Sequence, residues 1–342
     1  MVNILVFFAL MFVAFGLSAF MIYGKYKNTL HGKPENRCDR MGDRWKYFLT
    51  NVVGQDKVLQ DPISGLSHVF LMWGFVVLGF GALNLAVEGL FHVPIPLIGT
   101  NPLFIALKDL FLLLVYVGVI GAVLRRTVLK PARMENSVEA FVILGLVCVI
   151  VTGDLLYSGA SFALGEKADI RSASFFGNFV SGLLAGKSPE SLKSLASAAW
   201  WAHFLAMFTF AVLIPSSKHL HLVFAPFNAI WHTLRPKGSL AKVDFEDESA
   251  ETFGVNKMEE FTWKQLFDTY TCVRCGRCTE NCPAFQTGKP LDPRALHVDL
   301  RAHVEEKAPL LDKIKAAGEN KPEFTEAEQA ILDKTIVDGI FS

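Results

Sequence analysis

The chain has 342 residues, of which 51% are hydrophobic and 19% charged, and its formal net charge is zero. A mean hydropathy of +0.35 lies outside the range of ordinary soluble domains, and the balanced charge leaves no electrostatic footprint for nucleic acid. Four of the six cysteines fall in one short run, which excludes a disulfide framework and points to a reducing compartment.

The first 24 residues carry no charge. Their N-terminus lacks the basic region of a cleaved signal peptide, so 3–23 reads as a retained membrane helix. Four more stretches approach the roughly 20 apolar residues that a bilayer core requires: 62–87, 102–124, 140–163 and 194–224. The loop after the first span carries Lys25, Lys27, Lys33, Arg37, Arg40, Arg44, Lys46 and Lys57, and the loop after the third carries Arg125, Arg126, Lys130 and Arg133. By the positive-inside tendency both face the cytoplasm. The turn at 91–101 has no basic residue and 165–193 has only Lys167, Arg171, Lys187 and Lys193, so these segments face outside. Five spans with the N-terminus outside then place everything after Pro226 in the cytoplasm.

Ionisable or ligand-type side chains inside a span are costly and tend to be functional. Span two carries His68 and, at its end, Glu88; span three carries Lys108 and Asp109; span four carries Asp154. Span five carries His203, His219 and His221. An intramembrane histidine serves as often for hydrogen bonding as for metal ligation, but the spacing here favours ligation. His203 and His221 are 18 residues apart, which on one helix is five turns, about 27 Å, with both on the same face. His219 falls about 160° round from His203, although Pro215 between them is expected to bend the helix. His68 enters span two at a depth comparable to that of His221, so these two form the expected haem b pair. His203 lies nearer the outer side, where His92 in the turn is the remaining histidine candidate; its other reading is an interfacial polar residue. One or two haems b are therefore expected. Lys108, Asp109 and Asp154, with Glu88, are the ionisable groups a quinone site needs, and Lys108 with Asp109 reads equally well as an interfacial pair or as haem-propionate partners.

The stretch 234–260 contains Asp244, Glu246, Asp247, Glu248 and Glu251 and reads as a solvated linker. Then comes Cys272-Val-Arg-Cys275-Gly-Arg-Cys278-Thr-Glu-Asn-Cys282-Pro. This C-x2-C-x2-C-x3-C-P spacing is the bacterial 4Fe-4S ligand run, whose fourth cysteine ordinarily ligates a second cluster. Two or three short polar helical stretches follow, including 325–333.

The string Trp201-Ala202-His203, with Ile214-Pro215-Ser216-Ser217-Lys218-His219-Leu220-His221-Leu222-Val223-Phe224-Ala225-Pro226, resembles the gamma (cytochrome b) subunit of respiratory nitrate reductases. Ser64-Gly65-Leu66-Ser67-His68 is similar to the start of that family's second helix. The resemblance implies that His68 and His221 are the cytoplasmic-side haem ligands, that His203 is an outer-side ligand, and that Lys108 is similar to a lysine beside the quinol. Leu78 stands where the family's other helix-two histidine would fall. Phe261-Thr262-Trp263-Lys264-Gln265, the cysteine run and Thr287-Gly288-Lys289-Pro290-Leu291 resemble the membrane Fe-S oxidoreductases related to heterodisulfide reductase. Those proteins continue into a second cysteine run and cysteine-rich domains. The expectation is therefore that these residues form the N-terminal portion of a longer protein, the alternative being a separate subunit that supplies the missing run.

The expected architecture is mainly α: a five-helix transmembrane haem-binding bundle over 1–233, the linker over 234–260, and a cytoplasmic α-helical ferredoxin-type 4Fe-4S domain over 261–342. The expected function is electron transfer in a bacterial or archaeal cytoplasmic membrane. Electrons pass between menaquinone and a cytoplasmic redox partner, an electron-transfer flavoprotein or an Fe-S subunit, by way of haem b and 4Fe-4S. The alternative is a non-catalytic anchor and electron conduit of a heterodisulfide reductase-like complex. A redox sensor has less support, because sensing needs no transmembrane haem ligands.

Overall fold

The computed structural model describes residues 3–134, 136–236, 238–239, 245–246, 254–320 and 322–336. Among them the fold is helical, with no strand and with one isolated bridge between Lys33 and Thr262. In chain order the first helices are α1 (Ile4–Thr29), α2 (Met41–Phe48), α3 (Asp56–Leu59), α4 (Pro62–Phe91), α5 (Pro102–Leu124), α6 (Val138–Ala163), α7 (Phe175–Leu183), α8 (Pro189–Leu213) and α9 (His221–Ile230). They are followed by α10 (Trp263–Tyr270), α11 (Arg277–Glu280), α12 (Pro283–Gln286), α13 (Pro293–Ala317) and α14 (Glu326–Asp333). Five segments, Ile4–Thr29, Pro62–Phe91, Pro102–Leu129, Val138–Ala163 and Pro189–Ser216, are long and apolar enough to cross a membrane.

The span starts follow from local chemistry. Pro62 and Pro102 occupy first-turn positions where no amide partner is needed, and each follows a capping side chain. Asp61 accepts from the Ser64 amide at 3.4 Å, and Asn101 from those of Leu103 and Phe104 at 2.9 and 3.4 Å. Leu124 passes into a wide π-type turn over Arg125–Leu129, where the basic residues begin.

The chain divides into two compact units. The first comprises Met1–Leu17, Gln55–Pro131 and Asn136–Leu213. Its core is aromatic where α1, α4 and α8 meet, with Phe7, Leu85, Leu90, Trp200, Phe204 and Phe208 buried together. The Trp200 indole donates to the Leu85 carbonyl at 2.9 Å. A second cluster, Leu112, Val115, Val119 and Val151, joins α5 to α6. At Gly153 the α6 backbone comes so close to α8 that an added Cβ would lie 2.8 Å from the Ala199 carbonyl and 2.9 Å from the His203 Cβ.

The second unit comprises Ser18–Gly54, Ala132–Glu135 and Ile214–Ser342. Its core gathers Leu220 and Phe224, Leu266, Phe267 and Tyr270 of α10, and Leu300, Val304 and Ala308 of α13 around the fully buried Met258. A reciprocal capping box starts α10: Thr262 Oγ1 accepts from the Gln265 amide and Gln265 Oε1 from the Thr262 amide, worth about 1 kcal/mol. Trp263 Nε1 donates to the Glu35 carbonyl at 2.8 Å. The buried Arg44 guanidinium donates to the Asp39, Ile230 and His232 carbonyls and to the Asp39 carboxylate.

Span five departs from the expectation. The helix does not run through 194–224: α8 ends at Leu213, two short 3-10 turns cover Ile214–Ser216 and Lys218–Leu220, and α9 starts afresh at His221. Pro215 has no amide for the helical ladder and its ring clashes with the preceding turn. The same-face relation of His203 and His221 along one helix therefore does not hold. After the cysteines, α13 is a single helix of 25 residues where only short stretches were expected, and it continues through Pro309. The stretch 325–333 is α14, capped by Thr325. Asp244, Asp247, Glu248 and Glu251 of the acidic stretch lie outside the described residues.

Two outcomes are expected. Gly153→Leu should destabilise the bundle by roughly 1–3 kcal/mol through overpacking against α8, read as a lower unfolding midpoint in detergent. In the second unit, neither nitrogen of the buried His303 ring has a hydrogen-bond partner among the described residues, and burial, then the Lys307 and Lys334 charges, push its pKa down to about 4. Unfolded chain binds that proton from about pH 6.5 downward, so the unfolded state gains protons first and stability falls as pH drops from there towards 4. Tryptophan fluorescence of the full chain during unfolding should show this slope in the wild type and a shallower one in His303→Phe.

Candidate redox and proton sites in the two units

In the first unit, one end of the bundle forms a narrow, partly open cavity lined by residues that include Asn84, Glu88, Lys108, Asp154, Tyr157 and Lys167. Lys108 on α5 reaches across to α6, and its Nζ donates to both Asp154 oxygens at 2.7 and 2.9 Å. Its stem lies over Gly81, where a Cβ would approach the Lys108 Cδ to 2.8 Å. The residue at 81 is therefore small because the lysine passes there. Lys167, in the loop after α6, forms an ion pair with Glu88 of α4, and Asn84 donates to the other Glu88 oxygen at 3.2 Å.

Asp109 does not join this group. Its carboxylate accepts from the Ser174 hydroxyl and the Phe176 amide and so holds the start of α7. Expected beside Lys108 as a pair, it points away, because successive helical residues face about 100° apart.

His203 lies against the same α6 segment. It is 3% exposed; its Nδ1 is 2.7 Å from the Ile150 carbonyl, and its Nε2 is buried with no partner among the described residues. A carbonyl can only accept, so Nδ1 carries the proton and Nε2 presents a lone pair. His68 also sets Nδ1 on an acceptor, 2.8 Å from the Gln55 amide oxygen. In the second unit His221 does so with Nδ1 2.7 Å from the Lys218 carbonyl. Engaging one ring nitrogen with an acceptor is the usual device for orienting a ligating histidine. His219 instead stands with Nδ1 3.4 Å from the Ser217 hydroxyl. His92 is an exposed left-handed cap at the end of α4 (φ 57°).

The cysteine run of the second unit links α10 to α12. Cys272 and Cys282 are half-buried, and Cys275 and Cys278 are exposed. The loop turns on two left-handed residues, Arg274 (φ 55°) and Gly276 (φ 73°); a Cβ at Gly276 would also lie 2.5 Å from the Arg133 carbonyl. Arg133 pairs with Glu280 of α11, and Arg294 donates to the Arg133 carbonyl at 3.3 Å, so the basic 132–134 segment braces the loop. Burial pushes the Cys272 thiol up, the Arg274 amide on its sulfur and the nearby Arg301 guanidinium push it down, and the Cys275 and Cys278 thiols push it up again. Among the described residues no three metal-ligating side chains converge on one ion. The donor set, four thiols in eleven residues with a backbone amide aimed at one sulfur, fits an iron-sulfur cluster.

Residues 263–284 match the family described as 4Fe-4S binding domain, which includes all four cysteines. Over 306 residues the chain is 32% identical to the "Probable iron-sulfur-binding oxidoreductase FadF" of Bacillus subtilis, covering 89% of this chain and 43% of that protein. It is 31% identical over 350 residues to the "EtfAB:quinone oxidoreductase" of Syntrophomonas wolfei, covering 96% of this chain and 47% of that protein. A stretch of 61 residues is 46% identical to a "Probable membrane-anchored ferredoxin" of Chromohalobacter salexigens, covering 18% of this chain and 9% of that one. The chain thus spans about half the length of the first two relatives. No solved structure matches.

Fold and site together define a class: a protein that, among the described residues, is helical with five membrane-type spans and carries a 4Fe-4S binding domain. Within that class its two long matches are both to proteins named as oxidoreductases, one of them iron-sulfur-binding.

Sequence reasoning named Lys108, Asp154 and Glu88 but not their partnerships, and it took Lys167 only as a topology charge. Nothing local to Lys167 marks it; its partner lies 79 positions earlier. The Arg133 brace was equally hidden inside a basic loop.

Serine substitution at Cys272, Cys275 or Cys278 should remove most non-haem iron and acid-labile sulfide from anaerobically purified chain, which should otherwise hold about four iron atoms. Cys38→Ser, outside the run, should leave the iron unchanged.

Proposed function

We propose that the chain is the electron-transfer core of a membrane-bound oxidoreductase that carries electrons between menaquinone and a cytoplasmic redox partner. The observation that carries this reading is the buried Nε2 of His203, without a partner among the described residues, on the same α6 segment as the Lys108–Asp154 ion pair that lines the cavity. His203 and the pair are joined through α6, since Gly153, which touches His203, immediately precedes Asp154. A ligand nitrogen and a proton-exchanging pair side by side is the arrangement that coupled electron and proton transfer to a quinol needs.

When bound, haem b and the 4Fe-4S cluster would supply one-electron redox chemistry, and the protein sets their order and potential. His203, His68 and His221 each hold Nδ1 on an acceptor oxygen, and in His203 this makes Nε2 the ligating atom. This agrees with the resemblance to the cytochrome b subunit of nitrate reductases, by which His68, His221 and His203 would each be a haem ligand. Cys272, Cys275, Cys278 and Cys282 would hold the cluster. Lys108 and Asp154 would exchange protons with the quinol head group.

The relative named EtfAB:quinone oxidoreductase, matched over 96% of this chain, supports electron-transfer flavoprotein as the cytoplasmic partner and a quinone as the membrane one. The lysine and arginine distribution supports an orientation with the N-terminus outside and the cysteines in the cytoplasm.

Joint haem and iron analysis of the purified chain, with spectra before and after a menaquinol analogue is added, tests the reading. The expected result is haem b that becomes reduced on addition of the quinol, with His203→Leu lowering the haem content while the cluster iron stays. A wild-type chain without haem would overturn the histidine assignments; haem that quinol leaves oxidised would leave the conduit without a quinone site.

A further inference from the structure

The cavity at the 92–101 end of the bundle contains more charge than holding a neutral ring requires. Its inner wall carries the Lys108–Asp154 pair, with the Ser158 hydroxyl 3.4 Å from the same Asp154 oxygen that lies 2.7 Å from Lys108. Its outer wall carries Glu88, held by Lys167 and Asn84, and the Lys167 ammonium stands 5.0 Å from the centre of the Tyr157 ring. All of these side chains line one continuous space. The side chains of the inner pair are 11% and 7% exposed and those of the outer pair 20% and 12%. The charges therefore form two pairs, the second at the end of α4 and in the loop after α6, with Lys167 the most exposed of the four.

A bundle that needed only rigidity would gain nothing from this. Withdrawing two ions from water costs several kcal/mol even when they are paired, and apolar side chains of the same volume commonly stabilise more. Ionisable groups kept inside membrane spans in spite of that cost line ion and proton pathways. A second pair on the same cavity, nearer its mouth, fits a pathway and not a single binding contact.

Resting on the quinone reading above, we propose that the two ion pairs form a two-station proton path, in which Asp154, paired with Lys108, exchanges the proton of a quinol hydroxyl and Glu88, paired with Lys167, exchanges it with water at the cavity mouth. In quinol oxidation an O–H bond breaks, its proton passes to an Asp154 oxygen, and one electron passes to a ferric iron of the redox chain, which becomes ferrous. The proton moves on through the cavity, by way of the Ser158 hydroxyl or water, to Glu88 and then to solvent. Two such passages convert the quinol to quinone with two protons and two electrons delivered. Quinone reduction uses the same stations in reverse. Glu88 is the informative residue because it lies outside the Lys108–Asp154 contact and need not touch the ring.

The test is made on the full chain in liposomes. Glu88→Gln keeps a side-chain oxygen for Asn84 but cannot carry a proton; Glu88→Asp restores the carboxylate. Binding of a quinol analogue, the rate of quinol-driven iron reduction, its solvent deuterium isotope effect and proton appearance with a pH dye are measured together. With analogue binding retained, Glu88→Gln is expected to slow iron reduction and proton appearance about a hundredfold and to raise the isotope effect, and Glu88→Asp to recover most of the rate. Lys167→Gln, which removes the cation holding the carboxylate, is expected to slow both in the same sense and serves if Glu88→Gln does not fold. Wild-type rates and isotope effects in a folded variant that still binds the analogue would overturn the path and leave the quinone reading standing. A wild-type chain that binds no quinol analogue would overturn that reading and the path with it.

Discussion

A charge carried into an apolar helical bundle has to find its counter-charge, and the Lys108–Asp154 contact imposes that condition on the first unit. A lysine or aspartate at the centre of a membrane span costs about 2.5–3.5 kcal/mol each on insertion scales, and here the ammonium sits within hydrogen-bond distance of both carboxylate oxygens. Sliding α5 by one turn against α6, about 5.4 Å, would separate the two and leave both uncompensated. The register of α5 and α6 is thus set electrostatically, and the small residues follow from it. Gly81 lets the lysine stem pass α4, and Gly153, one position before Asp154, lets α8 close on α6 at His203. The apolar contacts of Leu112, Val115, Val119 and Val151 supply adhesion along that seam, but any of several registers would satisfy them, because apolar packing is non-directional.

The three histidines expected to act together share one local solution reached by three different means. His203 uses the Ile150 carbonyl of a neighbouring helix, His68 the side-chain oxygen of Gln55, and His221 the Lys218 carbonyl of its own preceding turn. The third follows the break at Pro215, where the 3-10 turn Lys218–Leu220 leads into α9 at His221.

The parts of this protein legible in its sequence are those governed by neighbours along the chain. The five apolar stretches, the prolines and capping residues at positions 61–62 and 101–102, and the cysteine spacing are local signals, and the structure carries helices and a loop at each. The long α13 was obscured because its apolar residues, Leu300, Val304, Ala308 and Leu311, are spread thinly among charges and face a core made by other segments. Lys108, Asp109 and Asp154 were visible as unusual residues, but their roles depend on contacts across 46 and 65 to 67 positions. Adjacent in sequence and opposite in charge, Lys108 and Asp109 invite pairing with each other. Helical geometry instead sends one to Asp154 and the other to the start of α7.

The same long-range dependence governs the iron-sulfur loop. Cys272, Cys275, Cys278 and Cys282 are contiguous enough to be recognised by spacing alone, yet the loop that carries them takes its shape from Arg133. The Arg133 carbonyl occupies the space that a side chain at Gly276 would need, its guanidinium holds Glu280 on α11, and Arg294 at the start of α13 binds its carbonyl in turn. The core below the loop likewise includes Ile22 from α1 and Leu220 and Phe224 from the end of the membrane-type sequence. A basic residue that sequence reasoning uses to orient a loop across a membrane is here also a structural neighbour of the cysteine run. The cysteine-bearing unit is consequently built from three separated segments of the chain, and its capacity to hold a cluster depends on residues whose local sequence gives no indication of iron.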